Sequence, residues 1–343
     1  MLADEVDFVV GVDTHRDWHS LAVVEVRNGV VVYETRVPAN SSGYAEALRF
    51  AEQHGVGRRA FAVEGTGSYG AGLARFLADR GERVLEVGLV RRECRSAGKT
   101  DALDAVRAAR SVLAKKRPTT PRSSGEREAL RTLTAAREGA VNAKRAGLCQ
   151  LRDLLVTAPE PLRSELRVLS RARLLSRLVA TRPERRQDPA LRGTLLALRA
   201  VARRVRSLTI EEREIEKLVR KLAPQLLDQP GVGPLGAAQV IISWSHQGRL
   251  TSEAAFARLA GAAPIPASSG QTIRYRLDRG GDRKLNRALH QILITRRRMH
   301  APTNAYIERR INEGKSRREA NRCLKRYLAR NLYRLLENPP MPA

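Results

Sequence analysis

Apolar and polar positions follow two rhythms along this chain, and the change between them divides it. In the first 118 residues short apolar runs alternate with turn residues. Phe8-Val9-Val10-Gly11-Val12-Asp13 is a continuous apolar run closed by an acid, the pattern of a buried strand. Leu21 to Val26 and Val30 to Val37 read as two more strands, joined at Asn28-Gly29, a dipeptide that suits a hairpin turn. Ser41 or Ser42 then opens a helix to about His54, with Gly55 as its stop. Ala60-Phe61-Ala62-Val63-Glu64 is a fourth strand, again ending in an acid. A Gly-rich turn, a helix near Ala71 to Arg80, a fifth strand over Arg83 to Val87 and a helix from Asp101 to about Lys115 complete the segment. The predicted order is β-β-β-α-β-α-β-α, a meander followed by crossover units.

The rhythm changes after Arg117-Pro118-Thr119-Thr120-Pro121-Arg122-Ser123-Ser124-Gly125, a linker by composition. From Glu126 to about Leu222 apolar residues recur at helical spacing. Leu130, Leu133, Ala140, Leu148, Leu151 and Leu155 form one stripe, interrupted at Pro159 and Pro161, and a second long helix is expected over Leu191 to Leu222. Two long helices with charged outer faces make either a coiled-coil arm or an ordinary bundle. The last third opens on Pro230-Gly231-Val232-Gly233-Pro234 between helical segments, which reads as a helix-hairpin-helix turn or as a plain interhelix turn. A Gly- and Pro-rich loop, Gly261 to Gln271, leads into a basic stretch over Arg274 to Arg287 and helices bearing Arg296-Arg297-Arg298 and Arg317-Arg318.

The strand order of the first segment is that of a ribonuclease-H-like fold, whose first and fourth strands are neighbours. Parallel α/β sheets place their chemistry at the carboxyl ends of the strands, where Asp13 and Glu64 stand. Gly98-Lys99-Thr100-Asp101-Ala102-Leu103-Asp104 adds a helix start that Thr100 can cap, with Asp101 and Asp104 three residues apart on one face. Such first-turn acids also simply complement the helix dipole. Four carboxylates from three elements repel one another unless cations hold them, and hard oxygen donors suit Mg²⁺ or Mn²⁺. Carboxylate-held metals serve phosphodiester chemistry.

Charge sharpens the partner. The chain carries 63 Lys and Arg against 36 Asp and Glu, a formal net charge of +27, which points to a polyanion such as nucleic acid. Cys94, Cys149 and Cys323 are far apart and form no Cys-x-x-Cys pair, arguing against a zinc module or a disulfide framework. No apolar run reaches membrane-spanning length and Met1 to Glu5 is no signal peptide, so a cytoplasmic, nucleoid-associated protein without membrane contact is expected.

Four further features bear on the chemistry. Gly65-Thr66-Gly67-Ser68-Tyr69-Gly70 formally matches a dinucleotide fingerprint, with Glu86 ending the next strand, but it follows the fourth strand rather than opening the domain. His15 and His19 lie near Asp13 without a third His or Cys at matching spacing, and read as strand or loop residues. Ser268 and Ser269 sit in a loop before clustered arginines, either as a turn or as a nucleophile. No Walker-type Gly-Lys-Ser/Thr sequence occurs, which leaves ATP use unsupported.

These pieces together resemble the DEDD transposases of bacterial insertion sequences, the group that includes pilin-gene invertases and bridge-RNA-guided recombinases. The resemblance rests on Val10-Gly11-Val12-Asp13-Thr14-His15-Arg16-Asp17, Val63 to Tyr69, Gly98 to Ala105, Pro230 to Pro234, and Ala260-Gly261 with Pro264 and Ser268-Ser269-Gly270, in family order over nearly the whole chain. It implies a RuvC-like mixed-sheet domain over residues 1–118 with Asp13, Glu64, Asp101 and Asp104 as the Mg²⁺-binding tetrad. It further implies a helical coiled-coil region over 122–222 and a mostly helical transposase domain over 223–343. That last domain supplies a serine nucleophile, mapped to Ser269 with Ser268 the alternative. Strand cleavage through a 5′-phosphoserine, strand exchange, a structured noncoding guide RNA, DNA partners at the element ends and target, and a homo-oligomer (dimer or tetramer) are the further implications. One departure is that Arg274 to Arg283 contains Asp278 and Asp282 where a more uniformly basic run is expected. Two other classes stay open at this point: a RuvC-like nuclease or junction resolvase without a catalytic serine, and a nucleic-acid-binding protein without catalysis.

Overall fold

The apolar run closed by Asp13 forms β1 (Phe8–Thr14), the central strand of a five-stranded sheet. The computed structural model describes residues 1–88, 101–222, 224–270, 275–276 and 278–338. Contacts divide the chain into two units, Met1–Ser124 and Gly125–Ala343. Thr100, expected to cap a helix, lies outside the described residues, as do Gly98, Lys99, Cys94, Gln271 and Arg274.

In the first unit β1 is followed by β2 (Trp18–Glu25), β3 (Val31–Pro38), α1 (Ser41–His54), β4 (Arg59–Glu64), α2 (Ala71–Ala78), β5 (Val84–Val87) and α3 (Asp101–Leu113). The sheet order is β3-β2-β1-β4-β5. β1 pairs antiparallel with β2 and parallel with β4, so the ends that carry Asp13 and Glu64 point the same way on adjacent strands. The Asn28-Gly29 turn forms with Gly29 at φ 71°, and the Asn28 side chain accepts from the Val30 N–H. Ser41 opens α1 as expected, capped by the preceding Asn40, whose side chain accepts from the Gly43 N–H. One local reading changes. β2 begins at Trp18 rather than Leu21, because His19 and Ser20, polar by type, are buried inside the strand.

The sheet is covered on both faces. Val10, Val12, Leu21, Phe61 and Val63 pack with Ala47 and Ala51 of α1 and Leu73 and Leu77 of α2. On the other face Val9, Ala22, Ala60 and Ala62 meet Ala105, Val106, Ala109 and Val112 of α3. Small residues let α3 settle almost onto the backbone of β1. A Cβ on Gly11 would stand 1.9 Å from the Ala105 carbonyl oxygen and 2.8 Å from the Ala109 nitrogen.

Among its described residues the second unit is helical apart from one short antiparallel pair of strands. α4 (Glu126–Val156) is followed by α5 (Glu160–Arg167), α6 (Arg171–Val179) and α7 (Pro189–Leu222). α5 and α6 are two short helices that the sequence pattern did not resolve. The prolines that interrupt the apolar stripe start α5, Pro159 as its cap and Pro161 in its first turn. α4 and α7 run in opposite directions: Lys144 pairs with Glu212 at 2.6 Å, while Arg204, earlier on α7, bonds Gln150, later on α4. At Gly147 they pack closely: a Cβ there would stand 2.8 Å from Val205 Cγ2. α8 (Pro234–Trp244), α9 (Glu253–Leu259), the two-residue strands β6 (Ile265–Pro266) and β7 (Tyr275–Arg276), α10 (Arg283–Met299), α11 (Ala301–Asn312) and α12 (Arg317–Glu337) complete the unit. They share a core built on Phe256, Leu289, Leu293, Leu328 and Leu332. Among the described residues no helix is long and apolar enough to cross a membrane, and Cys149 and Cys323 are free thiols.

Two predictions follow from the sheet. Gly11→Ala must push α3 off β1, and overpacking of this kind costs about 1–3 kcal/mol. Urea unfolding is expected to show that loss, and an unchanged midpoint would contradict the close approach. His19 is buried, stacked on Tyr44, and its ring nitrogens lack a well-formed hydrogen bond. Burial pushes its imidazole below the ordinary range, opposed by the Trp18 backbone and helped by the charge of His15. The folded state therefore binds this proton less readily than the unfolded chain, and the contribution of His19 to stability falls as pH drops below about 6.5. Melting curves should lose less stability between pH 7.5 and 5.5 in His19→Leu than in the unmodified protein; equal losses would refute this assignment.

Candidate catalytic carboxylates

Chain geometry at the carboxyl end of β1 decides which side chains meet there. Asp13 is the penultimate residue of β1 and Glu64 the last of β4. Thr14 Oγ1 donates to the Glu64 carbonyl at 3.0 Å and ties the two strand ends together. α3 crosses this end of the sheet, starting at Asp101 and presenting Asp104 one turn on. All four sequence-selected acids of this unit are thus carried to one edge.

Their electrostatics show that they face one another. Burial pushes the Asp13 carboxyl above the usual range; the His15 imidazole opposes this, and the charges of Asp104 and Asp101 add to it. Burial likewise raises Glu64, reinforced by Asp13 and Asp104 and opposed by His15. Like charges in a half-buried cleft disfavour ionisation, and a cation among them relieves both the repulsion and the desolvation. Within the group, oxygens of Asp13 and Asp101 together with a nitrogen of His15 lie within 4.8 Å of one another, close enough to share one ion. Glu64 and Asp104 join through charge but fall outside that closest set.

The basic side chains around the acids were not selected from the sequence. His15 Nε2 lies 3.1 Å from Asp13 Oδ2 and 3.4 Å from Asp101 Oδ1. It had been read as a strand or loop residue for want of a further His or Cys; the missing partner is an aspartate 86 positions away, brought in by α3. Arg36 of β3 donates to Asp101 Oδ2 at 3.3 Å while its guanidinium stacks 3.8 Å over the Trp18 ring. Arg107, one turn beyond Asp104, bonds it at 2.8 Å. The only local signal for His15 was its place two residues beyond a strand-end acid.

The glycine-rich turn after β4 behaves as a tight turn. Ser68 N–H and Gly70 N–H both donate to the Gly65 carbonyl, and Ala71 N–H donates to the Ser68 carbonyl, so these three amides are taken up within the turn. Gly65 takes φ 63°, and a Cβ on Gly70 would stand 2.7 Å from the Glu64 carbonyl.

In the second unit Ser268, Ser269 and Gly270 are exposed between β6 and β7, with Gly270 at φ 56°. Side chains tie the segments that flank this pair of strands. Asn286 Nδ2 donates to the Ala260 carbonyl at 2.7 Å, and Lys325 Nζ donates to Asn286 Oδ1. Asp282 caps α10, accepting from the Lys284 and Leu285 N–H groups, and takes a 2.6 Å bond from Ser243. Asp278 accepts from the Gly280 N–H. The two acids that broke the basic run therefore shape the loop. Arg296, expected on a nucleic-acid surface, is buried and donates to the Pro230 carbonyl at 2.6 Å. It props the Pro230-Gly231 turn, where Gly231 takes φ 74°. Arg298, Arg317 and Arg318 are exposed.

A family model described as "Transposase", of the DEDD type, matches residues 10–160. A second, described as "Transposase IS116/IS110/IS902 family", matches residues 223–308. No curated protein matches the chain. The two models together span more than two-thirds of the sequence in the order its motifs occur, and the chain belongs to the IS110-type DEDD transposases of insertion sequences, enzymes that recombine DNA.

Proposed function

We propose that this transposase cuts and rejoins DNA at the ends of its element through a covalent serine intermediate assisted by a divalent cation. The observation that carries this reading is the convergence of Asp13, Glu64, Asp101 and Asp104, mutually repelling, on one sheet edge. In this reading residues 1–118 are a RuvC-like catalytic domain, 122–222 a coiled-coil region and 223–343 the domain that supplies the nucleophile. The donor set fits a hard cation: carboxylate oxygens predominate and Asp13 and Asp101 come within reach of one ion. Mg²⁺, or Mn²⁺, bound there supplies charge neutralisation at the reacting phosphate and orients it.

The remaining roles belong to the protein. Ser269 Oγ gives up its proton and attacks the scissile phosphorus; the bond to the 3′ oxygen breaks, that oxygen takes up a proton to become a free 3′-hydroxyl, and the 5′ phosphate stays on the serine. Attack by a different 3′-hydroxyl reverses the step on a new strand, exchanging strands with neither net hydrolysis nor ATP. Exposure of Ser269 between β6 and β7 supports it over a serine in a packed turn, and Ser268 is its exposed neighbour. The net charge of +27 and exposed Arg298, Arg317 and Arg318 support binding of DNA together with a structured noncoding RNA that selects target and donor by base pairing. A homo-oligomer, dimer or tetramer, brings the serine of one subunit to the carboxylates of another.

The test uses labelled DNA carrying the element ends, Mg²⁺ and RNA transcribed from its flanks, resolved on a denaturing gel. The unmodified protein should yield a DNA–protein adduct. Ser269→Ala should abolish it, and Asp13→Asn should lower it about 10³-fold, as expected for losing several kcal/mol of metal-assisted stabilisation. Cleavage that persists without adduct in Ser269→Ala would instead identify a hydrolytic nuclease.

A further inference from the structure

The turn between β1 and β2 places an imidazole where two of the carboxylates converge. The His15 N–H donates to the Trp18 carbonyl at 3.0 Å, closing the turn and fixing His15 beside the end of β1. From there Nε2 reaches Asp13 Oδ2 at 3.1 Å and Asp101 Oδ1 at 3.4 Å. Asp101 is itself held by its other oxygen: Arg36, stacked on Trp18, bonds Oδ2 and leaves Oδ1 turned to the His15 side. Neighbouring ligands about 2.1 Å from a small divalent cation in octahedral geometry stand about 3 Å apart. The two nitrogen-to-oxygen separations are close to that spacing. Asp13 Oδ2, Asp101 Oδ1 and His15 Nε2 therefore form one corner of a coordination sphere with only small adjustment.

We infer that His15 Nε2 is a ligand of the divalent cation shared by Asp13 and Asp101, an inference that rests on the carboxylate reading above. The site then has a mixed nitrogen and oxygen donor set rather than an all-oxygen one. Oxygen donors suit Mg²⁺, whereas imidazole raises affinity for transition metals. His15 thus biases this position toward Mn²⁺, and its removal narrows the gap between Mn²⁺ and Mg²⁺. Trp18 and Arg36 act through Asp101 as positioning residues, setting which of its oxygens meets the ion.

A hydrogen bond and a coordinate bond give similar interatomic distances here, so the test reads the bond itself. Pulsed EPR on the full chain loaded with Mn²⁺ detects coupling to a ligating ¹⁴N, and titrations followed by EPR or calorimetry give affinities without any DNA. Unmodified protein should show ¹⁴N coupling. His15→Gln should lose it, with Mn²⁺ affinity falling at least about tenfold and Mg²⁺ affinity falling less. His15 is partly exposed in a turn, and His19→Leu serves as the control that should keep the signal. Mn²⁺ bound in an Asp13-dependent manner without ¹⁴N coupling would overturn the inference while leaving the carboxylate site standing. No Mn²⁺ binding, or binding unchanged in Asp13→Asn, would remove the carboxylate reading and this inference together.

Discussion

Mutual repulsion among half-buried carboxylates is the constraint around which the first unit is built. Folding must carry Asp13, Glu64, Asp101 and Asp104 to one edge although burial and neighbouring charge push Asp13 and Glu64 toward the protonated form. Packing elsewhere overcomes this cost. The covered sheet fixes β1 beside β4, and the absent side chain at Gly11 lets α3 lie directly on β1 and deliver its first turn to the edge. Arg36 and Arg107 offset part of the charge from Asp101 and Asp104, and His15 bridges Asp13 and Asp101. A site with excess negative charge held by a rigid sheet is preorganised for a cation, because the scaffold rather than the ion meets the ordering cost.

The second unit applies the same logic to a loop. Ser268 to Gly270 are exposed between β6 and β7, while the segments that flank the two strands are tied by Asn286, Lys325, Asp282 and Ser243. Gly281 completes the arrangement, at φ 89° and so close to Leu259 that a Cβ would stand 2.5 Å from its carbonyl oxygen. Arg296 shows how a residue of the most exposed type can serve a turn, its guanidinium drawn inward by the Pro230 carbonyl.

Much of this was legible in the sequence where one local rule dominates. Uninterrupted apolar runs closed by acids gave β1 and β4, and the Asn28-Gly29 turn gave the hairpin between β2 and β3. The long helices α4 and α7 followed from their 3.6-residue spacing. What was not legible depends on contacts between distant residues. His19 hides the start of β2 because a buried histidine breaks the apolar pattern. His15 gains its partner from α3, and Asp278 and Asp282 read as breaks in a basic run until their hydrogen bonds to backbone amides are seen.

The most direct measurement of the central claim is anomalous scattering from crystals of the full chain soaked in Mn²⁺. The account predicts a strong peak within coordinating distance of Asp13 and Asp101, about 2.1–2.2 Å from their nearest oxygens, and its disappearance in Asp13→Asn crystals. A map with no peak at this edge, or with a peak that survives loss of the Asp13 carboxylate, would contradict it.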